Sequence, residues 1–564
     1  MNNNNKSNYI IFFILSFIII LSYSYLFPPP KPKQAEPLQT PTGQVQKDNL
    51  STTTPPADIK GLEQDNNFSK RNNEIDPFKI SKDLISVKSR LYNGTIDPLG
   101  ARIVEWKLNN YNETTEENAA KYNLINDSPP SFNLYVETDI VNVPNPIPFS
   151  YSGDMDITLT DSPVELEFKW QSAAEGIIIS KTYTIDPNSY LIASTLKIEN
   201  KTDKSVNQRV VVDAYSKSLK TGGQRKSKEF VVLVSEEIKK EANSPEEKKQ
   251  YDGKIGWFGF LDKYFLYTFL PETGAASKVD FYSLSEQDLV RAVYSYPKES
   301  ISPNNEKPYK SKLYLGPLEL NILKKASPVL GSAMDFGWFD FLAKPVLSLL
   351  NYLNKYFKNY GISIIAITIL IRLVFLPLTI KSMASMKKVQ IKMQDLKPKI
   401  DALKEKYKDD KAQQNSELMK LYSAHGVNPL SSLGGCLPML IQIPVFIALY
   451  EVLLNSIDLR HSHFLWINDL SAPEMLFDIP GIGIPFRILP LAMGVSWFIS
   501  QKMTPMTTPG SDQMELQMKM MQFMPIIFTV MFWSLPSGLV LYWTVSNILS
   551  IGQQLYVNRK VVTH

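Results

Sequence analysis

Tyr360–Ile380 reads YGISIIAITILIRLVFLPLTI, an apolar run interrupted by a single charge, Arg372. At 1.5 Å per residue a helix of that length crosses a hydrocarbon core about 30 Å thick. An arginine near the centre of such a helix costs about 2.5–3.5 kcal/mol on insertion scales, so it must face protein or water rather than lipid. The plain explanation is an ion pair. The only acid within the other apolar stretches is Glu451. Counted from the outer ends, Arg372 lies about 18 Å deep and Glu451 about 6 Å deep, which disfavours a direct pair. The arginine therefore reads as a charge in a wet intramembrane cavity.

Working outward, further apolar stretches are Tyr9–Phe27, Leu433–Asn455, Pro485–Gln501 and Met520–Tyr556, the last divided by the turn Ser534-Leu535-Pro536-Ser537-Gly538. The total is six spans. Tyr9–Phe27 exceeds a signal-peptide core and offers only Ser22-Tyr23-Ser24 as a poor small-x-small cleavage site, so an uncleaved anchor over 1–27 is expected. Eleven lysines in 381–425 against the lone Arg460 in 456–484 place the former in the cytoplasm. Both termini are then cytoplasmic, and the long segment between the first two spans is external.

The last span carries Tyr542, Ser546, Ser550 and Gln553 at steps of 4, 4 and 3, with Trp543, Asn547 and Gln554 beside them. Thr368 precedes Arg372 by one turn, and Gln442 lies toward the cytoplasmic half of the third span. Singly, such residues are helix–helix glue. Together with Arg372 they describe a hydrophilic groove. Cytoplasmic to it, Val389, Met393, Leu396, Ile400, Leu403 and Tyr407 form a heptad seam, Asp409-Asp410-Lys411 turns the chain, and Leu418, Leu421 and Tyr422 continue it, predicting a helical hairpin over 381–428. Before the second span, Leu342, Val346, Leu349, Leu353 and Phe357 make an apolar stripe with lysines between, an amphipathic helix over 337–358 that lies on the bilayer. The methionines that crowd the region after 380 suit surfaces that accept varied apolar partners.

Residues 28–78 open with Pro28-Pro29-Pro30-Lys31-Pro32 and stay polar, which predicts an extended linker. From 79 to 330 the texture is β. Tyr190–Asn200 alternates with Ile192, Leu196 and Ile198 on one face, and Val210–Val212, Phe230–Val234 and Lys312–Leu315 are short β-branched or aromatic runs between turn phrases. A large β-sandwich is expected. The charge run 236–250 reads as a solvated loop or short helix. Trp106, Trp170 and Trp257 read as core.

No enzyme is indicated. All four histidines fall after residue 424, so the β region lacks the usual general base, and no carboxylate pair stands out. One cysteine, Cys436, excludes an internal disulfide and any Cys-based zinc site. No phosphate-binding G-x-x-x-x-G-K-[ST] phrase is present, and a net charge of +4 in 564 residues argues against a nucleic-acid coat. No cofactor, metal or DNA partner is expected.

The arginine-bearing span, Asn428-Pro429, the phrase from Gly435-Cys436-Leu437-Pro438 to Gln442-Ile443-Pro444, Phe523-Met524-Pro525, and the run from Pro536-Ser537-Gly538 to Tyr542-Trp543 resemble the YidC/Oxa/Alb family of membrane-protein insertases. The external β domain resembles the Gram-negative bacterial arrangement, in which it is a supersandwich. Trp543 stands where a second tyrosine is common. The resemblance implies a five-helix insertase core over 359–564, in a polytopic protein of the bacterial inner membrane with its β domain in the periplasm. It implies ATP-independent insertion and folding of nascent membrane proteins, with Arg372, Thr368, Gln442, Tyr542, Trp543, Ser546 and Asn547 lining the route. It also implies the bilayer, the Sec translocon and, transiently, the ribosome as partners. The tail after Tyr556 offers only Arg559 and Lys560 to a ribosome. A secondary transporter would show paired intramembrane charges or repeated halves. A membrane-anchored glycan-binding protein would act through residues 80–325 alone.

Overall fold

The computed structural model describes residues 79–562 apart from 126–127, 173–175, 218–227, 242–246, 273, 275, 285–287, 426–436, 481–484 and 504–511. The expected anchor, the linker and the Asn428–Cys436 phrase lie outside the described residues.

Three sheets build the region Ile85–Pro317. An eight-stranded antiparallel sheet runs in the spatial order Glu237–Glu241, Glu229–Val234, Ile255–Leu261, Phe265–Pro271, Glu306–Pro317, Leu191–Asn200, Ile177–Ile185, Val164–Gln171. A six-stranded sheet is organised on Val206–Lys217, which pairs with Asn133–Thr138, Leu289–Ser295 and Glu299–Ile301. The two sheets pack through aromatic side chains. Phe230 stacks on Phe281 with centroids 4.2 Å apart, and Phe258 stacks on Tyr294 at 5.7 Å. Such pairs add about 0.5–1.5 kcal/mol beyond their buried area. Alternation in Leu191–Asn200 drives this packing, with Ile192, Leu196 and Ile198 all buried.

The third, five-stranded sheet carries Trp106, whose ring stacks on Tyr92 at 4.4 Å. A Cβ at Gly94 would fall 2.2 Å from that indole, so the strand position beneath it takes only glycine. Trp106 and Trp257 are fully buried, whereas Trp170 is half-buried.

The charge run 236–250 is not a loop or helix throughout. It supplies Glu237–Glu241 and the start of Lys249–Gly253, each at the edge of a sheet. The physical reason is that an edge strand presents unpaired backbone groups, and Lys and Glu there block pairing with other chains. High charge thus marks strand edges as well as solvated loops.

Lys181 is buried inside the sandwich, its ammonium donating to the carbonyl oxygens of Ala101 at 2.9 Å and Phe132 at 3.4 Å. Burial, reinforced by the nearby Arg102 charge, pushes its pKa down to about 7. Between that value and the ordinary lysine range the unfolded chain holds a proton that the folded chain lacks, so stability rises with pH there. Below about pH 7 the burial cost is fully present. Lys181→Met is therefore expected to raise the melting temperature more at pH 6 than at pH 9. Equal shifts at both pH values, read by thermal melting of the full chain in detergent, would refute this account of Lys181.

After the sheets come α1 (Leu320–Ala326), α2 (Asp340–Phe357), α3 (Tyr360–Lys406), α4 (Lys411–Ala424), α5 (Leu437–Asn455), α6 (Ile488–Met503), α7 (Asp512–Phe532) and α8 (Ser537–Val562). Among the described residues, α3 holds a window long and apolar enough to cross a membrane by length and composition. It does not stop at Ile380 but continues to Lys406, about 70 Å in all. Asn359 caps its start, accepting from the Ile362 amide at 3.1 Å. Met393, Leu396 and Ile400 of its distal half bury against Leu418 of α4, as the heptad seam predicts. Asp410 caps α4 by accepting from the Gln413 amide at 2.9 Å.

Helix α2 has two apolar faces rather than one stripe. Ala343, Val346, Leu347 and Leu350 pack into the helical core, while Phe341, Leu349, Tyr352, Tyr356 and Phe357 stay exposed, as does Trp338 just before the helix. The predicted stripe is thus split: Val346 belongs to the packed face, Leu349 and Phe357 to the open one. Five apolar positions at helical spacing could not separate the two, because Ala343, Leu347 and Leu350 widen the stripe until it covers both.

Candidate functional site

Helices α3 and α8 run side by side in a constant register. Ile364 lies against Gly538, and Arg372 bonds Ser546, both pairs 174 residues apart. The same step sets Thr368 opposite Tyr542. The Arg372 guanidinium donates through Nε to Ser546 Oγ at 3.1 Å and through Nη2 to the same oxygen. Among the described residues no carboxylate lies within ion-pair distance of it, and the side chain is only half-buried. Glu451 instead accepts from Asn455, one turn further along its own helix, at 2.7 Å. A neutral hydroxyl leaves the positive charge uncompensated and available to a second ligand.

Beside it, Gln442 of α5 donates to the Tyr542 hydroxyl at 2.6 Å. Tyr542 and Ser546 are both buried, as is Thr368, whose hydroxyl donates back to the Ile364 carbonyl at 2.5 Å. Five of the seven expected residues therefore converge where α3, α5 and α8 meet: Arg372, Thr368, Gln442, Tyr542 and Ser546. Trp543 and Asn547 sit one position further round α8: Trp543 packs on α5, one turn from Gln442, as well as on α6 and α7, and Asn547 faces α6. The Trp543 ring packs among Phe446, Phe532 and Trp497 at 4.7, 5.2 and 5.8 Å, and Asn547 donates to Ser496 Oγ at 3.3 Å. One residue along a helix turns the side chain by about 100°, enough to move it from one interface to the next.

The polar line extends further along α8 than expected. Among the described residues, Gln553 Oε1, Gln554 Nε2 and Asn558 Oδ1 are buried without a hydrogen-bond partner. Asn558 escaped sequence reasoning, although it continues the four-residue step from Gln554. Flanking surfaces are apolar and open: Leu373 and Val374 on α3, Val495 on α6, and Phe523, Ile526 and Val530 on α7 are all exposed.

A polar, singly charged cleft between apolar helices, joined in the same chain to a large β domain, defines a helical membrane protein with an appended β domain. Residues 352–564 match the family model described as 60Kd inner membrane protein, and residues 84–349 match that of the YidC periplasmic domain. The membrane protein insertase YidC of Pelobacter propionicus is 37% identical over 556 residues, covering 97% of this chain and 98% of its own. That of Citrifermentans bemidjiense is 34% identical over 562 residues, covering 98% and 99%. A crystal structure of an active YidC insertase aligns with 84% of this chain and 92% of its own, at 20% identity and a TM-score of 0.34. The chain belongs to the YidC family of membrane protein insertases.

Proposed function

We propose that this protein inserts transmembrane segments of nascent membrane proteins into the bacterial inner membrane without ATP, and assists their folding. The observation that carries the reading is Arg372, set in an apolar helix, half-buried, and held by the Ser546 hydroxyl rather than by a carboxylate. A fixed positive charge in a wet cleft lowers the cost of bringing a polar or acidic flank of a client into the membrane. The client's apolar segment then leaves along α5 and the open face of α7 into lipid. No covalent step is involved.

Six spans support this route: 9–27, 360–380, 433–455, 485–501, 520–535 and 537–556, with both termini in the cytoplasm. The 79–330 domain is periplasmic, tethered by the 28–78 linker, and the exposed aromatic face of α2 rests on the outer leaflet. The lysine-bearing hairpin of distal α3 and α4 stands in the cytoplasm, where ribosomes deliver clients. The Sec translocon is the second partner, for clients that need both.

The test is reconstitution of the purified chain into liposomes with a short single-span substrate, scored by protease protection without ATP. Protection above that of empty liposomes is expected. Absence of protection with folded protein would reject autonomous insertion.

A further inference from the structure

The segment between α5 and α6 is more than a connection, because its polar and apolar residues are sorted onto different sides. On the polar side, Arg460 donates to the Glu113 carbonyl at 3.1 Å, and its guanidinium lies 5.6–6.0 Å from the ring centres of Tyr122, Tyr264 and Phe265 of the β domain. Asp458 accepts from Asn351 of α2 at 3.2 Å.

The same segment grips the neighbouring ends of three helices. Phe464 fills the space over Gly361, where a Cβ would lie 2.1 Å from the ring, and the His463 carbonyl accepts from Asn359, the cap of α3, at 3.3 Å. The carbonyls of Leu470 and Ala472 accept from the Gly538 and Ser537 amides that begin α8, at 2.9 and 2.8 Å. The buried Glu474 carboxylate accepts from the Leu489 amide in the first turn of α6 at 2.6 Å, and its other oxygen accepts from the Trp466 indole. Depth is thereby set: the segment lies level with the first residues of α3, α6 and α8.

At that level it turns apolar residues outward. Phe464 and Ile467 exchange backbone hydrogen bonds of 2.9 Å, closing a two-residue turn with Leu465 and Trp466 at its tip. Leu465 holds φ at +53° and is 69% exposed. A leucine in the left-handed region with its side chain in solvent satisfies neither local sterics nor burial. Nearby, Met475 and Phe477 are 56% and 54% exposed, and Phe477 stacks on Phe486 at 5.1 Å. Phe486 leads within two residues into Ile488, Leu491 and Val495, the exposed apolar face of α6.

We infer that this segment is a lipid-docking element: Leu465, Trp466, Met475 and Phe477 enter the headgroup–acyl boundary of the outer leaflet, in continuity with the apolar face of α6. A tryptophan with its N–H satisfied by a carboxylate and its ring exposed suits that boundary. Docking there holds together the outer ends of α3 and α8, the two helices that carry Arg372 and Ser546. The inference rests on the topology proposed above.

The experiment uses the full chain with Cys436, the single cysteine, replaced by serine. New cysteines at Leu465, Phe477 and, as a control, Asp478, which points to the opposite face of the two-residue strand Phe477–Asp478 paired with Pro485–Phe486, are labelled with an environment-sensitive fluorophore in phospholipid vesicles. At 465 and 477 the emission should shift to the blue and lose intensity when the lipids carry brominated acyl chains; at 478 it should stay water-like. Water-like, unquenched emission at 465 and 477 overturns the inference, including the case in which the patch serves a protein partner instead. A membrane-impermeant thiol reagent applied to spheroplasts separates the two levels of the argument. Failure to label Asp478→Cys there would refute the topology, whereas the quenching result reports on lipid contact from either side.

Discussion

Arg372→Ala is expected to lower ATP-independent insertion by about tenfold or more, the factor that roughly 1.4 kcal/mol in an activation barrier produces. The reason is specific to the contact. Arg372 donates to Ser546 across the α3–α8 interface, so removing the side chain deletes both the charge and the cross-link. Arg372→Lys separates the two effects. It retains a cation but cannot match the forked geometry of a guanidinium, so it should keep much of the activity if charge attracts the client, and little if helix positioning dominates. Ser546→Ala completes the comparison by removing the neutral partner and keeping the charge. Insertion yield of an acidic-flanked and a neutral-flanked substrate, measured side by side, reads the outcome. Wild-type yield from Arg372→Ala with both substrates would remove the arginine from the mechanism.

Asp97→Ala should destabilise the β domain by about 3–5 kcal/mol, the cost of breaking a buried ion pair on one side. The Arg102 guanidinium and the Asp97 carboxylate are 2.7 Å apart, and both side chains are almost wholly buried. Arg102 also donates to the Lys79 carbonyl at 2.6 Å, and Asp97 accepts from Ser81 Oγ at 2.6 Å and from the Leu99 amide at 2.9 Å. Removing the carboxylate strands a charge whose Nε already lacks a partner. The double change Asp97→Leu with Arg102→Met leaves no stranded charge and should recover much of the loss. Denaturant unfolding of the full chain in detergent, followed through the tryptophans, tests both. If the double variant is no more stable than Asp97→Ala, the damage comes from the lost Ser81 and Leu99 hydrogen bonds instead.

How much was legible in the sequence depended on the range of the interaction that decided each feature. The α3–α4 hairpin could be read down to individual core residues, because a heptad seam is written in local spacing and Met393, Leu396, Ile400 and Leu418 had one way to bury. The strands around Ile192, Leu196 and Ile198 were equally plain, since alternation has a period of two. The run 236–250 is ambiguous in sequence, because charge alone does not distinguish a solvated loop from a guarded sheet edge.

Arg372 was singled out by the cost of a charge in an apolar helix, which needs no knowledge of neighbours. Its partner was another matter. Ser546 and Tyr542 fall on the face of α8 that meets Arg372 and Gln442 by helical spacing, whereas Asn547, grouped with them in sequence, bonds α6, and Trp543 packs among α5, α6 and α7. The amino-acid sequence by itself determined the apolar and heptad-patterned helices, the strands written in clear alternation, where the lone charge lies, and the family. Only the tertiary structure decided that the hydroxyl of Ser546 is what Arg372 meets, that α2 has two apolar faces, and that Gly361 and Gly538 receive the α5–α6 segment. The physical reason is one of range: periodicity and transfer cost act within a segment, whereas the rotation of one helix against the next is set by packing between residues far apart in the chain.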